Sequence, residues 1–153
     1  MDEYCFNEST FSAFILPSLE MVGVNTFASC RNITEINLPK LTNISRTLFS
    51  YCSNLKKIDI GGENVSIATD ITYDFYSPIN GCDKLETLIL RSNTLITNPS
   101  RYVIHSTSTI VKGTGYIYVP AALLEDYKVA ANWSVYASQF RAIEDYPEIC
   151  GEA

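Results

Sequence analysis

The single histidine of the chain is the natural starting point for chemistry, because imidazole is the side chain best suited to act as a general base near neutral pH. His105 stands next to Ser106 in a polar run, so a serine nucleophile can be imagined. Such a nucleophile needs a strained turn, and the sequence contains no Gly-x-Ser-x-Gly. We therefore expect His105 to be a loop residue exposed to water, and we assign no catalytic residue and no enzymatic activity.

The carboxylates form the second candidate group. Acidic side chains near one predicted face are interleaved with basic ones: Glu35, Asp59 and Glu86 with Lys56, Lys57 and Arg91. This alternation indicates a solvated mixed-charge surface rather than a pair of catalytic carboxylates. Gly61-Gly62 lacks the lysine and the helix of a phosphate-binding loop, so we expect no cofactor.

Three of the five cysteines, Cys30, Cys52 and Cys82, recur in phase with a repeat described below. No Cys-x-x-Cys pair is present, which argues against a zinc site and a closed disulfide framework. Neighbours stacked about 4.8 Å apart are within reach of a disulfide, but three thiols in a column cannot all pair. We therefore expect a structural column of buried thiols and no metal site. A redox or metal column is the alternative.

Composition narrows the classes of partner. The 153 residues suffice for one domain, and 46% of them are hydrophobic, which is enough for a continuous core. The net charge of −6 disfavours phosphate backbones and anionic lipid surfaces. The acidic start, Met1-Asp2-Glu3, does not look like an export signal, and no stretch reaches the roughly 18 apolar residues of a membrane span. We predict no nucleic-acid partner and no membrane insertion.

An internal repeat defines the elements that position these residues. Positions matched at an offset of 22 are Leu16-Pro17 with Leu38-Pro39, Leu19 with Leu41, Val22 with Ile44, Phe27 with Phe49, Cys30 with Cys52, Asn32 with Asn54, Ile33 with Leu55 and Ile36 with Ile58. A third copy starts at Cys82, 30 residues after Cys52. The unit between these two cysteines is therefore longer than the repeat of 22, and its extra residues predict a loop near 69–80. A unit of this length cannot bury its own apolar face, so neighbouring units must stack.

The stacked units predict a β-rich solenoid, a short leucine-rich repeat array of about 4–5 coils with parallel strands and a C-terminal helical cap. We place strands at 34–38, 56–60, 86–90 and 116–119. Residues 1–153 form a single predicted domain. Its parts are a degenerate N-terminal coil at 1–14, the repeats at 15–120 with the loop at 69–80, the cap at 121–144 and a tail at 145–153.

Helical spacing after Pro120 predicts the cap. Apolar residues recur at three- and four-residue steps in two series: Leu123, Tyr127 and Ala130, then Trp133, Tyr136, Phe140 and Ile143. The second series predicts a further short helix over 133–143. We expect Trp133 and Tyr136 to face inward, because the open end of a stacked sheet needs a lid.

The outward face of the predicted strands is the candidate binding surface, because residues that alternate with the buried Ile and Leu point outward. They begin with Ile15 and continue with Glu35, Asn37, Lys57, Asp59, Thr87, Ile89, Arg91, Tyr116 and Tyr118. Tyrosines are frequent anchors of protein interfaces, so we assign the residues that follow Ile15 in this series, from Glu35 to Tyr118, to binding. Replacing Asp59 and Tyr118 by Ala is expected to abolish binding and leave the fold intact. The alternative is a solvated sheet face without a ligand.

The repeat motif and the closing segment resemble a known family. The unit Phe-x-x-Cys-x-Asn-Leu-x-x-Ile-x-Leu, with Gly-Tyr-Ile-Tyr-Val-Pro-Ala-Ala-Leu-Leu-Glu-Asp-Tyr-Lys at 115–128 and Asn-Trp-Ser-Val-Tyr-Ala at 132–137, is similar to the BspA-like leucine-rich repeats. The resemblance extends from about residue 11 to residue 145. Such repeats resemble those of bacterial surface proteins, adhesins and phage tail-associated proteins. The resemblance implies attachment to proteins or other surface molecules, and it carries no catalytic residues.

Two roles follow from these expectations. A non-catalytic protein-interaction or surface-attachment module would bind a protein or cell-surface ligand through the strand face. A structural component or spacer of a larger assembly, such as a phage tail or bacterial surface array, would use self-association or a neighbour at the N-terminal coil. The location would be the cell surface, the secreted fraction or a virion if the chain belongs to a longer protein, and the cytoplasm otherwise.

Overall fold

Short parallel strands dominate the computed structural model, which describes residues 11–151. The strands are β1 (Ala13–Ile15), β2 (Glu35–Leu38), β3 (Asn43–Ile44), β4 (Lys57–Ile60), β5 (Ser66–Ile67), β6 (Thr87–Leu90), β7 (Tyr116–Val119) and β8 (Phe140–Ala142). One six-stranded sheet has the order β1-β2-β4-β6-β7-β8, and a second sheet pairs β3 with β5. The predicted parallel strands are confirmed. Most of the predicted N-terminal coil, with Cys5, lies outside the described residues.

The register of the main sheet follows the sequence repeat. Ile36 of β2 pairs with Ile58 of β4, which pairs in turn with Leu88 of β6. The same row contains Phe14, Ile117 and Phe140. All six side chains are buried, so the inward row of the sheet is one continuous strip of core. A shift of one residue would turn every one of these side chains toward solvent, which fixes the register.

The repeat units also contact each other away from the main sheet. In the second sheet, Ile44 pairs with Ile67. On a third side, the backbone amide of Phe27 donates to the carbonyl of Leu48 at 3.0 Å, and that of Phe49 donates to the carbonyl of Pro78 at 2.7 Å. Successive units are therefore joined by main-chain hydrogen bonds along three lines, which satisfies the polar groups of their turns.

The contacts between units explain the repeated Phe-x-x-Cys. The rings of Phe27 and Phe49 stack with their centroids 5.6 Å apart. The thiol of Cys52 donates to the carbonyl oxygen of Phe27 at 3.0 Å, and the thiol of Cys82 donates to that of Phe49 at the same distance. Cys30, Cys52 and Cys82 are buried thiols. Each unit therefore fixes its cysteine against the phenylalanine of the preceding unit.

Opposing influences act on the acidity of Cys52. A hydrogen bond with Cys30 lowers the pKa of its thiol, while a hydrogen bond with Cys82 and burial raise it. The raising influences are larger together, so the pKa lies above its ordinary value. Cys52 therefore stays protonated at neutral pH, and a protonated buried thiol is a poor nucleophile.

Close approach between units accounts for Gly61 and Gly62. A Cβ atom at Gly62 would lie 1.8 Å from the carbonyl oxygen of Leu41, and one at Gly61 would lie 2.8 Å from that of Pro39. Any side chain here would overlap the backbone of the preceding unit. The two glycines therefore allow the backbones of successive units to pack closely at the corner that follows β4.

A cap of short helices covers the end of the sheet. It contains a 3₁₀ turn at Ala121–Leu123, helix α1 (Leu124–Val129) and a 3₁₀ segment at Ser134–Gln139. Tyr127, Trp133 and Phe140 form a cluster with ring centroids 5.4 to 6.0 Å apart. The Trp133 indole donates to the carbonyl of Ile96 at 2.7 Å, and the amide of Ile96 donates to the Tyr127 hydroxyl at 3.1 Å. These bonds fasten the cap to the connection between β6 and β7.

The helix predicted over 133–143 ends early. Residues Phe140–Ala142 form β8, whose Phe140 and Ala142 point inward while Arg141 points outward. Phe140 fits both a helical and an alternating pattern, and the unpaired edge of β7 offers hydrogen bonds that a helix would leave unused. No helix within residues 11–151 has the length and apolarity needed to cross a membrane.

The chain beyond β8 also differs from the predicted tail. A 3₁₀ turn at Ile143–Asp145 leads into helix α2 (Pro147–Cys150), and Ile143 and Cys150 are buried. We call residues 143–150 the C-terminal segment. It turns back and lies on the outward face of the main sheet, where its apolar side chains find partners.

Candidate functional site

The predicted binding residues lie in two rows across the outward face of the sheet. One row runs through Glu35, Lys57, Thr87 and Tyr116, and the other through Asn37, Asp59, Ile89 and Tyr118. Ile15 and Arg141, which are outside the predicted set, lie at the two ends of the second row. Arg91 directly follows β6 and reaches back toward Asp59. Side chains in one row are neighbours on adjacent strands, so the structure brings the predicted residues onto one surface.

The C-terminal segment covers half of this surface. Ile89, Tyr118 and Asp59 are 0%, 3% and 4% exposed, so they do not project into solvent as expected. Ile89 and Tyr118 belong to a second apolar cluster with Ile143 and Cys150 of the segment. We call Asp59, Ile89, Arg91, Tyr116 and Tyr118 the closed half of the strand face. The double replacement of Asp59 and Tyr118 would disturb this packing, so it does not test binding cleanly.

Two cations hold the end of α2. Arg91 forms a bidentate pair with Asp59, with Nε–Oδ1 and Nη2–Oδ2 distances of 2.8 and 2.9 Å. It also donates to the carbonyl oxygen of Cys150, and Lys57 Nζ donates to that of Ile149 at 2.6 Å. The hydrogen bond with Asp59 raises the pKa of the Arg91 guanidinium, which is therefore charged at any ordinary pH. Helix C-terminal carbonyls are favourable partners for such cations.

Aromatic contacts complete the closed half. The rings of Tyr118 and Tyr146 meet edge to face with their centroids 5.5 Å apart, and the Arg141 guanidinium lies 4.5 Å from the centre of the Tyr116 ring. Burial raises the pKa of the Tyr118 hydroxyl and that of the Cys150 thiol. Both groups are therefore neutral at physiological pH, and the closed half resembles the core of a protein interface.

The other half of the surface is accessible. Ile15 is 71% exposed, Glu35 is exposed, and Asn37 is half-buried. They line a depression of about 130 Å³, which Lys57 and Asp59 border on the side of the C-terminal segment. We call Ile15, Glu35 and Asn37, bordered by Lys57, the open half of the strand face. It combines an apolar side chain with a carboxylate, an amide and an ammonium.

The histidine lies elsewhere and is more enclosed than expected. The side chain of His105 is 13% exposed, and its Nε2 lies 4.0 Å from Asp74 Oδ2. Its Nδ1 lies 2.8 Å from Thr107 Oγ1 and accepts a hydrogen bond from the Thr107 amide. The backbone amide of Ser106 donates to Asp74 as well. This arrangement ties two loops together, and it uses the histidine as a structural residue.

Metal ligation has no candidate cluster in the part of the chain that the structure describes. Residues 11–151 contain no group of three or more His, Cys, Asp or Glu side chains arranged to hold a metal ion. The thiols of Cys52 and Cys82 donate to backbone carbonyls instead.

The residues that close the strand face were not predicted from the sequence. Ile149 and Cys150 lie three and four residues after Tyr146, and Pro147 stands at the first position of a helix. This spacing is the signal of a short helix with one apolar side. It spans a single turn, which is too little to distinguish it from an irregular tail.

The family of the chain follows from its repeats. No curated protein matches the chain. The family model described as BspA type Leucine rich repeat region matches residues 1–112 with six copies, and the match ends before β7. Since this region is well over half of the chain, the protein belongs to the BspA-type leucine-rich repeat family.

Proposed function

We propose that this protein is a non-catalytic interaction or surface-attachment module that binds a protein or cell-surface ligand through the open half of the strand face. One observation carries the proposal: the same face already binds a chain segment, through apolar contacts and two cations in its closed half. Membership of a leucine-rich repeat family supports a protein-interaction or surface role.

We infer that the units stack as a solenoid. The three lines of main-chain hydrogen bonds between units support this arrangement. Each unit of a solenoid contacts only its neighbours, so the array presents an extended, regular surface. A surface of this kind suits recognition of another macromolecule better than catalysis, which needs convergent polar groups in a cleft.

The chemistry of the open half supports a protein or other polar surface as the ligand. Ile15 offers an apolar contact beside the charged Glu35, and Asn37 offers both a donor and an acceptor. Specific interfaces combine an apolar centre with a polar rim in this way. The depression between these residues gives a partner side chain a place to enter.

Photocrosslinking in the cells that produce the protein tests this proposal. A photoreactive phenylalanine analogue is placed at Glu35 in the open half or, as the control, at Glu63, an exposed residue outside the strand face. The proposal predicts discrete cross-linked species from position 35 that are absent from position 63. The same species from both positions, or none from position 35, would contradict it.

A structural role in a larger assembly is the second candidate. Phe11 and Met21, at the N-terminal end of the described repeats, are each 65% exposed. Large exposed apolar side chains at the end of a repeat array favour a neighbour there. Light scattering coupled to size exclusion distinguishes the two roles. A monomer at all concentrations supports the interaction module, and a defined oligomer supports the structural role.

A further inference from the structure

We propose that the closed half of the strand face is a docking site for a helical turn of an outside partner, and that the C-terminal segment occupies this site in the isolated chain. The partner is a peptide that forms a helical turn. It carries two apolar side chains spaced like Tyr146 and Ile149, and its last backbone carbonyls accept no hydrogen bond within the helix. The proposal rests on the proposed function, because it adds the second half of the same face to the binding surface.

The closed half binds the main chain at the end of a helix. Lys57 Nζ donates to the carbonyl of Ile149 at 2.6 Å, and Arg91 donates to that of Cys150. The last carbonyls of every helix lack intrahelical donors, so any helical turn that ends here offers the same acceptors. Both contacts are charge-assisted and independent of the side chains that the segment carries. The site is therefore selective for a backbone conformation and tolerant of sequence.

The sheet itself positions the residues of this site. Arg91 is oriented by its bidentate pair with Asp59, a residue of strand β4. Ile89 and Tyr118 extend from neighbouring strands of the same sheet and form the apolar floor. The cation and the floor are thus fixed by the sheet rather than by the segment. A site that is ordered before its ligand arrives binds with a smaller entropic cost.

The C-terminal segment is attached through few side chains. Of its eight residues, Ile143 and Cys150 are buried, Tyr146 and Ile149 are half-buried, and the other four are exposed. A terminal segment with two buried side chains opens at a lower free energy than the core does. The open half continues from Lys57, so a partner that displaces the segment gains contacts on both halves of the face.

Peptide binding to the full chain tests the proposal. The probe is a fluorescein-labelled synthetic peptide of residues 143–153, followed by fluorescence anisotropy under reducing conditions. In the wild type, the attached segment competes at a high effective concentration, so the added peptide binds weakly. Ile149→Asp places a charge against the apolar floor and releases the segment. We expect this variant to bind the peptide at least about tenfold more tightly than the wild type.

Matched variants control the experiment. Glu148→Gln alters an exposed residue of the same helix, and it is expected to bind the peptide as weakly as the wild type. Adding Lys57→Met to Ile149→Asp removes one donor to the helix end and should weaken the binding that the first change created. Circular dichroism and a melting curve establish that Ile149→Asp is folded. Tyr146→Ala replaces it if it is not.

Two results would overturn the proposal. The first is a folded Ile149→Asp or Tyr146→Ala variant that binds the peptide no more tightly than the wild type. The second is a variant that forms dimers in light scattering, because the occupant would then be a second copy of the chain. If the peptide does not bind more tightly but position 35 still gives cross-linked species, only this inference is wrong. If position 35 gives no cross-linked species, the proposed function is wrong.

Discussion

The two halves of the strand face share one backbone arrangement and differ in exposure. Ile15 and Ile89 lie in the same row of the sheet, yet Ile15 is 71% exposed and Ile89 is fully buried. The strands below them are parallel and in register, so the repeat does not cause the difference. The C-terminal segment causes it, because it packs on Ile89 and its Ile149 carbonyl accepts a hydrogen bond from Lys57. Burial on this face is therefore decided by the segment that folds onto it.

The charged side chains of the two halves also differ in exposure. Glu35 of the open half is exposed to water, whereas Asp59 of the closed half is 4% exposed and paired with Arg91. A charge in water needs no partner, but a buried charge without one is costly. The two halves should thus respond very differently to the same kinds of substitution.

The largest contrast is expected from charge removal. Arg91→Met leaves the Asp59 carboxylate buried without its bidentate partner and should lower the free energy of unfolding by about 4 kcal/mol. Glu35→Gln, the matched change in the open half, should alter it by less than about 0.5 kcal/mol. Urea denaturation of both variants measures the difference. Equal effects would show that Asp59 is not enclosed.

Truncation of the two isoleucines gives the next contrast. Ile89→Ala removes buried methyl groups under the C-terminal segment and should destabilise the fold by about 3 kcal/mol. Ile15→Ala acts on an exposed side chain of the same row, and its effect should stay within about 0.5 kcal/mol. Thermal or urea unfolding compares the pair, and a large loss at Ile15 would indicate that the open half is covered in solution.

Weakening the segment itself should have a moderate effect. Ile149→Ala removes half-buried apolar contacts and is expected to cost about 1 kcal/mol, whereas Glu148→Ala should cost almost nothing. The same change should speed alkylation of Cys150, which is 4% exposed, and leave Cys52 protected in the core. Residue-resolved mass spectrometry measures both rates. Unchanged Cys150 labelling would contradict the attachment through Ile149.

The smallest effect concerns alkaline pH. Burial raises the pKa values of Cys150 and Tyr118 above their ordinary 9.0 and 10.0, so the unfolded chain loses these protons first. Their contribution to stability is present below about pH 9 and is lost as the pH rises through the folded-state values. Stability should therefore fall above about pH 9, and less steeply in the Cys150→Ala, Tyr118→Phe variant. An identical slope in both proteins would count against a closed half.

Much of the sheet could be predicted because the repeat carries it. The offset of 22 residues aligns Ile36 with Ile58 in the sequence, and the same two residues pair in the sheet. Alternation within each strand then placed the outward residues on one face. A periodic pattern is informative because every copy has the same order of buried and exposed positions.

The part of the chain after β7 could not be predicted in this way because its pattern occurs once. Phe140 fits a helical spacing and an alternating one, and only the free edge of β7 selects the strand. The spacing of Tyr146, Ile149 and Cys150 covers a single turn, and its partners Ile89 and Tyr118 are far away in sequence. The exposure expected for the closed half was wrong for this reason: a distant segment supplies the cover.

Thiol accessibility at two positions of one row measures how differently the two halves are covered. Asn37→Cys and Ile89→Cys are made separately in the full chain, and maleimide labelling under native conditions is followed by residue-resolved mass spectrometry. We expect fast labelling at position 37 and labelling at least about 100-fold slower at position 89, where the C-terminal segment must open first. Equal rates at the two positions would contradict the division of the strand face into an open and a closed half.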